Sequence, residues 1–169
     1  QYWRYRLSSG DREVLVEARA LWNSARPAPD ACYEVFDVLS SEKLIPRESA
    51  WWRVRVLLSA GQLADARRSA TYIEKVPASF ERQTAAVGFN PGQFLAREKL
   101  VTDSRPSVEL FIYALSKLAR TDSARAARFL SALQSRMPEN DAAYAWAQIG
   151  LYGAMQHEPE ARQWFAQGG

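Results

Sequence analysis

The sequence predicts an all-α fold: a right-handed superhelix, or solenoid, built from antiparallel helical hairpins. Three observations carry that expectation. Apolar residues recur at i, i+3, i+4 and i+7 spacing along the chain. No run of alternating β-branched residues marks a strand. An alanine also returns in the first turn of each second helix, at Ala31, Ala66, Ala126 and Ala161, in the settings PDACYE, LADARR, ARAARF and PEARQW. The intervals are 35, 60 and 35 residues, the middle one reading as a repeat plus an inserted segment. A small side chain there lets paired helices approach closely, and each hairpin must then bury its open face on a neighbour.

Taken in order, QYWRYRLSSGD opens in mid-pattern, with Tyr2, Trp3 and Tyr5 in the last turns of a helix that stops at Gly10. Val14, Ala18, Leu21, Trp22 and Ala25 line the next face, Pro27 and Pro29 punctuate, and Cys32, Val35, Phe36 and Leu39 begin its partner, a hairpin over about 12–42. Pro46 starts the hairpin over about 46–75, with Ala50, Val54, Leu57 and Leu58, a turn at Gly61, then Ala66, Ala70 and Ile73. The inserted segment spans 76–100, and its Asn90-Pro91-Gly92 is a turn before a short helix from Gln93. A hairpin over about 106–136 runs from Pro106 through Val108, Phe111, Leu115 and Leu118, turns at Thr121-Asp122, and returns through Ala126, Phe129, Leu130 and Leu133. In the last hairpin, about 141–166, Asp141 is the expected N-cap of a helix bearing Tyr144, Ala147, Leu151 and Tyr152, followed by a helix from about Pro159 to Phe165. Residues 1–169 thus read as part of one α-superhelical domain, a piece of a longer protein.

Composition excludes several classes of function. The chain is 47% hydrophobic and 12% aromatic, which suits a packed protein. A net charge of +3 is spread among acids along all 169 residues, so no basic track for nucleic acid is expected. No apolar run reaches the length of a membrane span. Solenoids with repeats near 35 residues hold peptides, read single-stranded RNA one base per repeat, or scaffold an enzyme domain. RNA reading needs one pattern of polar residues at a fixed repeat position, and Asp30, Asp65, Arg125 and Glu160, which precede the four alanines, share none.

Candidate chemistry is sparse. His157 is the chain's single histidine, so a Ser-His-Asp set or a histidine metal site lacks material. No phosphate-binding glycine pattern occurs, and no cofactor is expected. Trp51-Trp52, Tyr144 and Trp146 have rings suited to stacking on sugars, but at helical spacing they read as core. The lone Cys32, at the start of a helix behind two prolines, fits three roles: an activated nucleophile, a buried small hydrophobe, or half of a disulfide.

The stretch ARALWNSARPAPDACYEVFDVLSSEKLIPRESAWWRVRVLLSAGQ resembles the α-superhelical domain of the soluble lytic murein transglycosylases. The resemblance rests on Ala18-x-x-Leu21-Trp22, Pro29-x-x-Cys32, the Phe36 helix and an Arg- and Leu-rich helix ending in a glycine turn. QYWRYRLSSGD, LSKLARTDSARAARFL and AYAWAQIG are similar in kind. The resemblance implies a periplasmic protein whose whole form acts on peptidoglycan glycan strands through a C-terminal lysozyme-like domain absent from this chain. It also implies a disulfide partner for Cys32 just upstream of Gln1. That catalytic domain carries a Glu-Ser motif and a Gly-x-Met-Gln motif. Both have counterparts in letter here, Glu48-Ser49 and Gly153-Ala154-Met155-Gln156, about a hundred residues apart and each explained by helix ends. Glu48, Glu109 and Glu158 are expected as solvated carboxylates near the reference pKa of about 4.3. The chain itself is therefore expected to hold no catalytic, cofactor or metal residue. A tetratricopeptide-like adaptor for a protein or peptide is the alternative, distinguished by the lack of a lysozyme-like domain in the reading frame after Gly169.

Overall fold

A computed structural model describes residues 2–24, 26–97 and 104–169. Ala25 and Leu100, the latter at the end of the inserted segment, lie outside the described residues. Among those described there are only helices, and the all-α solenoid class expected from periodicity is the one found. The chain divides into two compact units, Gln1–Val76 and Pro77–Gly169.

The first unit holds α1 (Tyr2–Ser8), α2 (Val14–Trp22), α3 (Asp30–Ser41), α4 (Arg47–Ser59) and α5 (Leu63–Ala70). Helix α3 packs on α1 and α2, and α4 on α5. Its core is aromatic. The Trp22 ring meets Phe36 edge-on at 5.1 Å and Tyr72 at 5.3 Å, and Tyr33 meets Phe36 at 5.4 Å. Helix α1 is tied to α2 by polar groups: Arg6 binds both Asp11 and Glu17, and the Trp3 indole donates to Glu17 at 2.9 Å.

The second unit holds α6 (Ser79–Phe89), α7 (Pro91–Leu95), α8 (Arg105–Ala119), α9 (Ser123–Leu133), a 3-10 turn at Gln134–Arg136, α10 (Glu139–Met155) and α11 (Ala161–Gln167). Helix α8 is its axis. Helices α6, α7, α9 and α10 all pack on it, and every residue from Val108 to Ser116 is buried.

Several helices end on one device. A residue with positive φ follows the last turn, and the next N–H reaches back to a carbonyl five residues earlier. The device occurs at Gly10 (φ 86°), Lys43 (56°), Gly61 (81°) and His157 (60°). The closing bonds are Asp11 N–H to the Arg6 carbonyl at 3.0 Å, Leu44 to Leu39 at 2.8 Å, Gln62 to Leu57 at 2.8 Å and Glu158 to Gly153 at 2.9 Å.

Some sequence expectations need correcting. Within the inserted segment, Ser79–Phe89 is a full helix, and α7 begins at Pro91 rather than Gln93, with the Asn90 side chain accepting the Gln93 N–H at 3.0 Å. Only Phe80, Thr84 and Val87 of α6 face inward, so its stripe is too thin and too polar to register as a helical face. Helix α10 starts at Glu139 with Pro138 as its cap, which puts Asp141 inside the first turn and buried, not at the N-cap. Ala66, Ala126 and Ala161 are buried as close-contact residues should be, whereas Ala31 is half-exposed.

Candidate functional site

Glu48-Ser49, the pair that matches the Glu-Ser motif in letter, sits at the start of α4, where Pro46 caps the helix. Glu48 is exposed. The Ser49 hydroxyl accepts the Trp22 indole N–H at 3.1 Å and donates to the Asn23 side-chain oxygen at 2.9 Å. Ser49 thereby satisfies the one polar atom of a tryptophan that is otherwise core. One turn further on, Arg53 is fully buried. Its Nη1 donates to the carbonyls of Leu21, Trp22 and Ser24 at 3.2, 2.7 and 3.1 Å, and its Nε donates to the Ser69 hydroxyl at 3.1 Å. The guanidinium lies 5.1 Å from the Trp22 ring and 5.4 Å from Phe36. A cation therefore meets the negative end of α2 and two ring faces at once, which offsets the cost of burial that lowers its pKa.

Around it, the Tyr33 hydroxyl donates to Asp65 at 2.7 Å, and the Ala28 N–H donates to the same carboxylate oxygen at 3.2 Å. Burial, with that bond to Asp65, pushes the Tyr33 hydroxyl up to about 12. Tyr72, which donates to Asp37 at 2.6 Å, is raised by burial and by that bond. These perturbed groups form a structural network: each polar atom named has a protein partner and a fixed geometry.

The Gly153–Gln156 stretch, which matches the Gly-x-Met-Gln motif in letter, closes the α8–α9 turn. Gln156 Oε1 accepts the Ser123 N–H and hydroxyl at 3.2 and 2.9 Å, and Gln156 Nε2 donates to the Ala119 carbonyl at 2.6 Å. Gly153 serves packing, since a Cβ there would fall 2.8 Å from the Trp164 ring, while Met155 is 69% exposed. Glu48-Ser49 belongs to the first compact unit and Gly153–Gln156 to the second.

Among the described residues, buried charged side chains that escaped the sequence reading include Arg53 and Arg55. Another is Glu109, expected in solvent, which is 1% exposed and paired with Arg105 at 2.8 Å, with Asp141 at 3.9 Å from the same guanidinium. Helix α8 is packed on by four helices, so even its polar Glu109 and Ser116 are buried. The signal was present in an apolar run on every side, Val108, Leu110, Phe111, Ile112 and Leu115, with an arginine four residues before the glutamate.

Of the aromatics weighed for sugar stacking, Trp51 and Trp146 are core, and the Trp146 indole donates to Gln134 at 2.9 Å. Trp52 is 42% exposed. Cys32 is a free, half-buried thiol in the first turn of α3. A shallow groove between α9 and α11 has Ala124, Ala127 and Ala132 along it, with Trp164, Arg128 and Glu158 at its sides. Among the described residues no three His, Cys, Asp or Glu side chains gather as metal ligands would, and no helix is long and apolar enough to cross a membrane.

No family model matches the sequence, and no curated protein does. Solved structures do match. The chain is similar to an inactive form of the lytic transglycosylase Slt from Pseudomonas aeruginosa, with 24% identity and a TM-score of 0.75 over 99% of this chain and 28% of that one. It is also similar to the 70-kDa soluble lytic transglycosylase from Escherichia coli, with 20% identity and a TM-score of 0.57 over the same shares, 99% and 28%. A 70-kDa soluble lytic transglycosylase in complex with bulgecin A matches equally, at 20% identity, a TM-score of 0.57 and the same coverage. At these identities the likeness is one of fold, and the chain spans 28% of the length of the proteins it matches.

Proposed function

We propose that this chain is a stretch of the α-superhelical domain of a soluble lytic transglycosylase, and that residues 1–169 lie within that one domain. The whole protein is a periplasmic enzyme that cleaves the bond between N-acetylmuramic acid and N-acetylglucosamine in peptidoglycan and releases 1,6-anhydromuropeptides. This stretch is part of the wall that holds the glycan and positions a catalytic domain, and has no catalytic residue of its own. The observation that carries the reading is a likeness of fold along nearly the whole chain to two lytic transglycosylases.

The chemistry agrees. Such cleavage needs a glutamate that protonates the leaving glycosidic oxygen and then takes a proton from the sugar's C6 hydroxyl, closing an anhydro ring. Glu109 is locked to Arg105 with no exposed side-chain surface, so a glycan cannot reach it. Glu48 is on the surface beside a serine already committed to Trp22 and Asn23. Incubated with purified sacculi, the chain should release no anhydromuropeptide detectable by mass spectrometry, and Glu48→Gln should change nothing. Release that disappears in Glu48→Gln would overturn the scaffold role. A reading frame after Gly169 without a lysozyme-like domain would overturn the family assignment.

A further inference from the structure

Lys43, Arg47 and Lys75 converge on a recess of the first unit that the scaffold role does not use. The recess is about 280 Å³ and is lined by Ser40, Lys43, Ile45, Arg47, Tyr72, Ile73, Glu74 and Lys75. Three cations against one carboxylate leave it positive. Other basic residues of the same unit are committed to carboxylates: Arg4 to Glu34, Arg6 to Asp11 and Glu17, Arg12 to Glu42, and Arg68 to Asp30. Among the described residues no such ion pair engages Lys43, Arg47 or Lys75.

The backbone supplies a second observation. Three non-glycine residues of the described chain have positive φ, and two of them, Lys43 (56°) and Lys75 (60°), line this recess. At Lys43 this conformation ends α3, and glycine would sit in either position at lower cost. Both residues line the same recess. Its remaining wall is partly apolar, with Ile45 half-buried and Ile73 5% exposed.

We propose that this recess binds the C-terminal carboxylate of a short peptide. The cations take the carboxylate, Ile45 and Ile73 take a small side chain next to it, and Ser40 and Glu74, which line the same recess, supply oxygens for peptide N–H groups. A bare phosphate is served less well, because the isoleucine side chains offer nothing to its hydration shell. The volume suits one or two small residues.

The test uses the intact chain and an N-acetylated alanine dipeptide, as free acid and as C-terminal amide, titrated with detection by two-dimensional NMR. The acid should shift backbone signals around Lys43, Arg47 and Lys75, and the amide should bind at least ~10-fold more weakly, as loss of a charge-assisted contact predicts. Lys43→Gly and Lys75→Gly remove the charges while suiting the left-handed backbone, so weakened binding in these variants cannot be ascribed to unfolding. Lys43→Arg should retain binding. Equal binding of acid and amide would overturn the proposal. So would no binding of the acid, or inorganic phosphate displacing the dipeptide at equal concentration, which would make the recess a general anion site. The proposal does not depend on the family reading, since none of these arms uses peptidoglycan.

Discussion

Arg53 shows how one side chain closes a core. It donates to three carbonyls at and just beyond the end of α2, and it lies against Trp22 and Phe36. Arg53→Leu would leave those carbonyls without their donor, at about 1–3 kcal/mol for each buried group left unsatisfied, partly offset by no longer desolvating a cation. A net loss of about 3 kcal/mol is expected as a lower urea midpoint with unchanged m-value. Arg53→Lys should also destabilise, because one ammonium cannot span the carbonyls and Ser69 together. An unaltered midpoint in either variant would refute this account. His157 makes the opposite case. Left-handed at φ 60°, it ends α10 where glycine is the cheaper residue, so His157→Gly should stabilise by up to ~1 kcal/mol, read from thermal denaturation.

Small residues decide packing at the scale of the element. Ala66 and Ala126 are buried at 1% and 0% exposure, so Ala66→Leu and Ala126→Leu should each cost about 1–3 kcal/mol through overpacking. Half-exposed Ala31 should accept Ala31→Leu within about 0.5 kcal/mol. If all three variants melt together, the alanines do not mark helix contacts. Gly150 sets two effects in opposition. Alanine gains about 1 kcal/mol of helix propensity over glycine, but its Cβ would fall 2.8 Å from the main-chain nitrogen of Phe165, which cannot rotate away. Overpacking wins, and Gly150→Ala should lower the melting temperature and loosen α11. The recurring alanines were legible from spacing in the sequence. The Gly150 contact was not, because it depends on which face of α10 meets α11.

At the scale of the whole molecule, groups of the first unit make stability depend on pH. Hydrogen bonds from Arg6 hold the Asp11 and Glu17 carboxyls below the usual carboxylate range. A depressed folded pKa contributes stability that is present above the unfolded value near 4 and is lost as pH falls through the folded value. The tie between α1 and α2 should therefore weaken in acid, seen as a change in Trp3 fluorescence. Tyr33, raised to about 12 by burial and Asp65, works in the other direction. Its contribution is whole below pH ~10 and is lost as pH rises through the folded value. Helical circular dichroism should hold across neutral pH and fall above pH ~11 with tyrosinate absorbance rising alongside. Ionisation of Tyr33 at an ordinary pKa would contradict the Asp65 bond.

The sequence by itself determined the helical class and several of the helix ends, such as those at Gly10 and Gly61. Those depend on local periodicity and on proline and glycine punctuation. Only the tertiary structure decided that Glu109 is buried and paired, that Arg53 sits inside an aromatic core, that Ser79–Phe89 is a helix, and that Lys43 and Lys75 meet Arg47 around one recess. Each of these depends on what packs over a position from elsewhere in the chain, and burial, ion pairing and convergence are properties of neighbours that spacing along one helix does not encode.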